Sequence, residues 1–237
     1  MQKNDLRISL LLMINENHKM KTVSKLFGRS HCLHLTCPNE KDEVIKNVYQ
    51  NTNIELPERS RNLKKLDNHN ISILKNGYYA VGIPSDLDMF IYFTKHNNKN
   101  CCFIICRELN AGFSQPKILV VYPKCTDTEV YNGTLIEATR VYATDNRFCI
   151  LLTDVQWFKG EKQSHKNFIE RLQVLGEFLK NEYIENLKQF PFRLQIATPY
   201  QHLNLLEQRL KNLPYKIDRI LFVPPYKKQS GVFYYNL

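Results

Sequence analysis

Four potential metal ligands lie close together near the start of the chain. They follow the spacing His-Cys-x-His-x-x-Cys and are His31, Cys32, His34 and Cys37. Structural zinc sites take four nitrogen or sulfur ligands in paired patterns, and this spacing matches none of the common ones. Because no second Cys/His pair lies nearby in the sequence, we predict neither a metal site nor any other cofactor.

The short motifs that mark several large enzyme classes are absent. Neither of the glycine-rich phosphate loops, GxGxxG and GxxxxGK(S/T), occurs among the eight glycines of the chain. The nucleophile elbow GxSxG of the α/β-hydrolases is missing as well. These absences exclude those enzyme classes in their usual form.

The chain is strongly basic. Lys and Arg number 33 against 23 Asp and Glu, which gives a formal net charge of +10. Cations that contact phosphates release condensed counterions, so an excess of this size favours a polyanionic partner such as RNA. A soluble protein that is basic for other reasons would have the same composition, and both interpretations stay open at this point.

The cysteines and the apolar segments predict a cytoplasmic and nuclear location. Seven cysteines is an odd number, and the adjacent pair Cys101-Cys102 falls within a strand-like run, which favours reduced thiols. The apolar run 8–14 is not followed by the small-residue cleavage site of a signal peptide. No segment reaches the roughly 18 to 20 apolar residues of a membrane-spanning helix.

Residues 1–74 differ in pattern from the rest of the chain. They combine basic clusters with little sustained periodicity, which predicts an N-terminal basic arm with one or two helices. Such an arm would contact RNA or an import receptor, and a solvated charged surface is the alternative. The clusters are Lys19, Lys21, Lys25 and Arg29, followed by Arg59, Arg61, Lys64 and Lys65.

From residue 75 onward the pattern predicts an α+β domain that extends to residue 237. A helix is predicted to begin after Ser164 and to continue to Leu187, before Pro191, and a second helix carries Leu203 and Leu206 on one face. The order strands, helix, strand, helix, strands favours mostly antiparallel, twisted sheets with flanking helices. The predicted strands cover residues 77–83, 89–94, 101–106, 118–122, 134–142, 148–157, 192–197, 217–223 and 231–235.

Residues 77–105, GYYAVGIPSDLDMFIYFTKHNNKNCCFII, contain a Pro-Ser-Asp-Leu turn, an aromatic residue leading a hydrophobic strand, a tight turn and a second strand. This order resembles the start of the nucleotide-binding domain of the snurportin family, import adaptors that bind the trimethylguanosine cap of spliceosomal small nuclear RNAs. In that family the leading aromatic residue is a Trp that stacks on the methylated guanine. Here the corresponding residue is Phe90, one position nearer the turn.

Later motifs extend the resemblance over residues 77–237. The segment FCILLTDVQWFKG is similar to the second strand of the family's central hairpin, through Asp154, Val155, Trp157 and Gly160. The C-terminal segment is similar to the family's late strands, with matches at Asp218, Leu221 and Phe222 and with Arg219 in place of a Gly. Tyr234 or Tyr235 stands where the family has its second stacking Trp.

The resemblance implies a cap-binding site. A methylated guanine is flat and cationic, so two rings that sandwich it gain stacking and cation–π energy, about 1–3 kcal/mol per stacked base. The implied rings are Phe90 with Tyr234 or Tyr235; the alternative is that these rings are core or sheet residues, as we interpret Trp157 to be. The side chains implied to contact the cap or its phosphates are Lys95, Lys124, Arg140 and Lys227, beside Lys228.

The snurportin fold is shared with mRNA-capping guanylyltransferases and polynucleotide ligases, which implies an enzymatic alternative. Those enzymes attack a nucleotide with the Lys of a K-x-D-G motif, and that Lys would be Lys95 here. The Asp and Gly of the motif are replaced by Asn97 and Asn98. The D-G-E of these enzymes would fall on residues 132–134, Asn-Gly-Thr, and their late K-x-K on residues 233–235, Phe-Tyr-Tyr.

The sequence is therefore compatible with three functions. The first is a non-enzymatic binder of capped RNA, with a small nuclear RNA favoured and with snRNP proteins and import receptors as further partners. The second is nucleotidyl transfer by Lys95, and the third is a scaffold subunit that keeps the fold without binding a cap. A binder requires Phe90 and a C-terminal Tyr to face each other across an open cleft, whereas a scaffold would have them packed shut.

Overall fold

The computed structural model describes residues 20–27, 30–57, 63–84, 87–109, 112–143, 148–185, 190–226 and 231–237. Its helices over these residues are α1 (Pro38–Thr52), α2 (Phe168–Glu177) and α3 (Leu203–Lys211). Its strands are β1 (Thr22–Phe27), β2 (Ser30–Leu35), β3 (Lys64–Lys65), β4 (Tyr79–Ile83), β5 (Asp88–His96), β6 (Lys99–Cys106), β7 (Ile118–Val121), β8 (Lys124–Cys125), β9 (Thr134–Tyr142), β10 (Phe148–Phe158), β11 (Glu161–Lys162), β12 (Tyr183–Ile184), β13 (Phe192–Leu194), β14 (Ala197–Pro199), β15 (Arg219–Val223) and β16 (Phe233–Asn236).

Two antiparallel-dominated sheets make up most of the described fold. The large sheet has the order β1-β2-β7-β6-β5-β9-β10-β11, and β13 pairs with β10 in parallel. The second sheet has the order β14-β4-β15-β16-β3, and its β16–β3 pair is parallel. This architecture confirms the predicted α+β class with mostly antiparallel sheets and flanking helices. No helix of the described residues is long and apolar enough to cross a membrane.

The alternation of side chains in β5 explains how the layers stack. Met89, Ile91 and Phe93 enter the core shared with the second sheet and α2. Phe90 and Tyr92 point to the opposite face, where α1 packs. Successive side chains of a strand point to opposite faces, so a strand covered on both sides is a continuous apolar run. This is the reason that the segment MFIYF contains no charged residue.

The predicted N-terminal arm is, over much of its described part, integrated into the sheets, with β1 and β2 in the large sheet and β3 in the second. The hairpin β1–β2 joins the sheet because β2 pairs with β7, with Leu33 opposite Val120. Val44 and Val48 of α1 are buried against the face that carries Phe90. Residues 22–52 therefore pack with the sheet that the sequence assigned to residues 75–237, and residues 1–19 lie outside the described part.

The first long helix after the sheet begins later and ends earlier than predicted. Asn167, not Ser164, caps α2: its side chain accepts a hydrogen bond from the Glu170 backbone, and the Glu170 carboxylate accepts one from the Asn167 backbone. This reciprocal capping box satisfies two N–H groups that the first helical turn leaves unpaired. After α2, one wide π turn leads into β12, which pairs with β8, so Tyr183 and Ile184 are not helical.

Candidate functional site

Phe90 is sealed inside the protein. Its side chain is 1% exposed and shares a core with Val44 and Val48 of α1. The guanidinium of Arg107 lies over the ring, with its central carbon 4.7 Å from the ring centroid. The aromatic face on which a base was predicted to stack is therefore already covered by a flat cation of this chain.

Glu137 holds Arg107 in this position. Phe90 and Glu137 are directly opposite each other in β5 and β9, so their side chains share one face of the sheet. Arg107 Nη1 donates a hydrogen bond to Glu137 Oε2 at 3.3 Å, and the two side chains are only 9% and 6% exposed. The amide of Gln156 on β10 donates to the other carboxylate oxygen. The result is a closed arrangement of ring, cation, carboxylate and amide, which we call the Phe90 site.

The pairing of β5 with its two neighbouring strands determines the position of Arg107. Its backbone N–H donates to the Asp88 carbonyl at 3.0 Å, immediately after the β5–β6 register ends with Met89 opposite Cys106. On the other side of β5, the hydroxyl of Thr139 donates to Asp88 Oδ1 at 2.7 Å. The first residue of β5 is therefore held from both neighbouring strands, which places the Arg107 side chain next to Phe90.

The C-terminal tyrosines do not meet Phe90. In β16, Tyr234 packs against the core between the two sheets, whereas Tyr235 lies on the outer face of the second sheet and is 54% exposed. Phe90 faces α1, on the opposite side of the large sheet from the core that Tyr234 contacts. The cap-binding pair implied by the resemblance is thus not assembled, because strand alternation directs the rings to three different surfaces.

Two of the cationic residues implied to hold phosphates, Arg140 and Lys95, lie far apart. Arg140 donates its backbone N–H to the carbonyl of Leu87, which lies eight residues along β5 from Lys95. At about 3.3 Å per residue, Arg140 and Lys95 are roughly 25 Å apart. The Arg140 guanidinium lies over the Tyr142 ring at 5.0 Å, and Lys124 is exposed on β8. Lys227, like Lys228, lies outside the described residues.

Lys95 lacks the surroundings of an activated nucleophile. Its side chain is exposed, and the structure describes no ion pair between it and a carboxylate of the residues it covers. The two residues that turn β5 into β6, Asn97 and Asn98, have φ values of 50° and 60°, as a tight two-residue hairpin turn requires. Attack by a lysine amine on a nucleotide also requires a metal-bound nucleotide, and the described residues show no carboxylate paired with Lys95 that would help to hold that metal.

Another lysine does lie between two carboxylates. Lys159 Nζ is 2.7 Å from Asp127 Oδ2 and 2.8 Å from Glu182 Oε1. Partial burial disfavours its charged form, but the hydrogen bonds that it donates to Asp127 and Glu182 outweigh burial and raise the pKa of Lys159. The group therefore stays an ammonium, and it ties the β10–β11 turn to the segment before β9 and to the end of the π turn.

Three of the four clustered histidines and cysteines lie in β2 of the large sheet. Cys32 and His34 share one face of β2 and are both buried. Burial raises the pKa of the Cys32 thiol to about 11, so the thiol stays protonated near neutral pH. Cys37 precedes α1, and the side chain of His31 lies outside the described part. Within that part, no three His, Cys, Asp or Glu side chains are grouped to hold a metal ion.

Trp157 contributes to the core on the α1 side. It is half-buried, packs against the same core cluster as Phe90, and has the Lys162 ammonium 6.0 Å from its ring. Its partner across β9–β10 is Leu135, a buried residue of that cluster. This environment agrees with the interpretation of Trp157 as a core anchor.

The members of the Phe90 site other than Phe90 itself were not predicted. One signal was present: Glu137 interrupts an apolar strand, and a charged side chain is seldom fully buried unless it has a partner. Its partner Arg107 is 30 residues away in sequence, so no local pattern identifies the pair. Gln156 lies in a strand irregularity, where β10 shifts register against β9 between Val155 and Trp157.

A large open groove lies on the outer face of the second sheet. It runs between α3 and the strands β15 and β16, and its volume is about 920 Å³. Leu206, Ile220 and Phe222 lie at its floor, and Tyr235 lies at its rim. We call this feature the α3 groove. It holds the exposed tyrosine that the sequence assigned to cap stacking.

Comparisons with known proteins add no assignment. No model of a protein family matches the chain, and no curated protein matches it either.

Proposed function

We propose that this chain is a catalytically inactive scaffold domain with a nucleotidyltransferase-like fold, which binds other proteins rather than transferring nucleotides. The single observation that carries the proposal is that Arg107 covers Phe90 inside a closed site. A cap reader needs that ring open to a ligand, whereas here it is 1% exposed. The α3 groove is a large, open and mostly apolar concave surface, and it is therefore suited to protein contacts.

The order of structural elements supports the nucleotidyltransferase-like fold. The strands β5 and β6, the hairpin β9–β10, the helix α2 and the late strands β15 and β16 follow one another as the resemblance to the snurportin and capping-enzyme group implies. The segment with Asp154 carries a buried ion pair to Arg171 of α2, at 2.7 Å. Asp154 thus has a structural role in joining the hairpin to the helix.

The proposed setting is the cytoplasm and nucleus. All seven cysteines are unpaired, which agrees with a reducing compartment. Protein partners of RNA-processing assemblies, including snRNP proteins and import receptors, are the partners that the resemblance suggests. Direct contact with capped RNA is a second candidate function.

A nucleotidyl-transfer assay tests the absence of catalysis. The purified full chain is incubated with α-labelled GTP or ATP and Mg²⁺ or Mn²⁺, next to Lys95→Ala and Lys159→Ala, and covalent label is followed on denaturing gels. We expect no label above background in any sample. Label on the wild type that disappears in Lys95→Ala would overturn the proposal and establish the enzymatic alternative.

A second candidate function, cap reading, is favoured by the chemistry of the Phe90 site. A guanidinium and a methylated guanine are both flat cations, and the Glu137 carboxylate would accept hydrogen bonds from guanine N1–H and N2–H groups as it now does from Arg107. Cap reading at this site requires Arg107 to leave the ring. The observation that favours this candidate is that the Arg107 guanidinium occupies the position over the Phe90 ring that a methylated guanine would take.

Fluorescence titration separates the two candidates. The full chain and Arg107→Met are titrated with m7GpppG, a trimethylguanosine-capped dinucleotide and unmethylated GpppG, with Phe90→Leu as the ring-deleting control. The scaffold proposal expects no methyl-dependent binding to any of the three proteins. Methyl-dependent binding that strengthens at least tenfold in Arg107→Met and is lost in Phe90→Leu would establish cap reading instead.

A further inference from the structure

The α3 groove combines an apolar floor with an apolar rim that stays in water. Leu206 and Phe222 at the floor are buried, and Leu210 and Ile220 beside them are half-buried. At the rim, Tyr235 is 54% exposed and Leu237 is 65% exposed. Large apolar side chains clustered around a concavity are typical of an interaction site, whereas scattered ones are ordinary.

The backbone around the groove determines which kind of peptide fits. Along its length β16 pairs with β15, it pairs with β3 at Phe233 and Tyr234, and the Leu237 N–H donates to the Asp218 carbonyl at 3.0 Å. The groove lies on the face of this sheet rather than at an open edge. An added strand would therefore find no row of free backbone partners, so an occupant must satisfy its own backbone hydrogen bonds, as a helix does.

The charges at the rim favour an acidic occupant. Lys211 and Lys216 line the groove and are 72% and 87% exposed. Their partners are Glu207, 2.9 Å from Lys211 in an exposed pair, and Asp218, 3.1 Å from Lys216 and 32% exposed. Exposed ion pairs contribute little, typically about 0–1 kcal/mol, so carboxylates of a partner can replace them at low cost. Next to the groove, β3 adds the exposed Lys64 and Lys65.

We propose that the α3 groove binds an acidic amphipathic helix of a partner protein. Apolar residues at positions i, i+3, i+4 and i+7 would fill the groove, and they span about 10 Å along a helix. Carboxylates flanking this apolar stripe would face Lys211 and Lys216. This inference rests on the proposed scaffold function, because it names the chemistry of the partner that such a scaffold holds.

Synthetic peptides test the inference on the full chain. The first is a labelled 14-residue helix with Leu at i, i+3, i+4 and i+7 and Glu at most other positions. The second has the same composition in scrambled order, and the third carries Lys in place of Glu. Binding is measured by fluorescence anisotropy at low and high salt. We expect saturable binding of the first peptide, at least tenfold tighter than of the other two, and weaker at high salt.

Surface variants locate the binding without threatening the fold. The double variant Tyr235→Ser with Leu237→Ser is expected to weaken binding at least tenfold, and Lys211→Ser with Lys216→Ser at least threefold. Phe113→Ser is the matched control, because Phe113 is 64% exposed and does not line the groove. Equal binding of the scrambled peptide, or no effect of the groove variants, would overturn the inference.

Two other occupants have distinct outcomes. If a peptide of residues 1–19 binds the groove more tightly than the acidic helix, the chain's own N-terminal segment is the occupant. If the chain self-associates in sedimentation and Tyr235→Ser with Leu237→Ser abolishes this, a second copy is the occupant. Either result overturns the inference but leaves the scaffold proposal standing, whereas Lys95-dependent nucleotide labelling would overturn the scaffold proposal whatever the peptides do.

Discussion

Arg107 stacks on Phe90, with the central guanidinium carbon 4.7 Å from the ring centroid, and Glu137 anchors the cation from the neighbouring strand. A cation over an aromatic ring contributes about 0.5–2 kcal/mol, with the larger values found where the pair is shielded from water. The same ring, open, would suit a methylated guanine. In the proposed scaffold, the Arg107 side chain occupies the face of the ring that a ligand would need.

Removing the Glu137 carboxylate is expected to destabilise the protein strongly. Glu137→Ala removes the carboxylate that holds the largely buried Arg107 guanidinium, and breaking a buried ion pair from one side typically costs about 3–5 kcal/mol. Urea unfolding followed by circular dichroism measures the loss. The double variant Arg107→Met with Glu137→Leu removes both charges and is expected to recover most of the stability. A loss below about 1 kcal/mol in Glu137→Ala would mean that the Phe90 site is open to water.

Two Arg–carboxylate pairs among the described residues after 150 are expected to differ in energy. Arg171 is 1% exposed and its Nε donates to Asp154 at 2.7 Å, whereas Arg193, 51% exposed, pairs with Glu185 at 3.0 Å. We expect Arg171→Met to lower the free energy of unfolding by about 3–5 kcal/mol. The matched variant Arg193→Met is expected to lower it by less than about 1 kcal/mol. Equal losses would contradict the burial difference between these pairs.

Two glycine substitutions are expected to act in opposite directions. Gly160 turns β10 into β11 with a φ of 81°, and an added Cβ would lie 3.0 Å from the Asn132 carbonyl oxygen. We expect Gly160→Ala to destabilise the protein by about 1 kcal/mol or more. Gly176 lies inside α2, where an added Cβ meets only Leu194 at 3.5 Å, so Gly176→Ala is expected to stabilise by about 0.4–1 kcal/mol. Thermal unfolding of both variants checks the contrast.

Stability is expected to fall at alkaline pH because of buried thiols. Burial raises the pKa values of Cys32 and Cys125 to about 11, above the ordinary thiol value of about 8.5. A pKa that is higher in the folded state contributes stability that is fully present below the unfolded value and is lost as pH rises through the folded value. The free energy of unfolding should therefore decline between about pH 8.5 and pH 11.

Variants and labelling isolate this contribution from the tyrosines and lysines that titrate in the same range. The decline is expected to be shallower in Cys32→Ala and Cys125→Ala than in the wild type. A thiol reagent at pH 8 is expected to modify both cysteines slowly in the folded chain and rapidly in urea. Fast modification of either residue in the folded chain would contradict the burial that raises its pKa.

The strands and the α+β class were predictable because their signal is local. Runs such as MFIYF and CCFIIC are compatible with a strand buried on both faces, and the hairpin over residues 134–157 was identified almost to the residue. Helix ends were less predictable, since Ser164 and Asn167 are both good caps. Only the reciprocal hydrogen bonds with Glu170 select Asn167.

The residues of the Phe90 site could not be predicted, because they contact one another across strands that are far apart in the sequence. The sequence determines that Phe90 and Glu137 lie in strands, but their placement on one face requires the β5–β9 register, and their partner Arg107 arrives from the end of β6. Likewise, residues 22–52 were predicted to belong to a basic arm. The strand with which β2 pairs, β7, is more than 80 residues away in the chain, so no local pattern indicates this pairing. Composition and periodicity specify elements through short-range geometry, whereas the burial of Phe90 and the opening of the α3 groove result from contacts between distant strands.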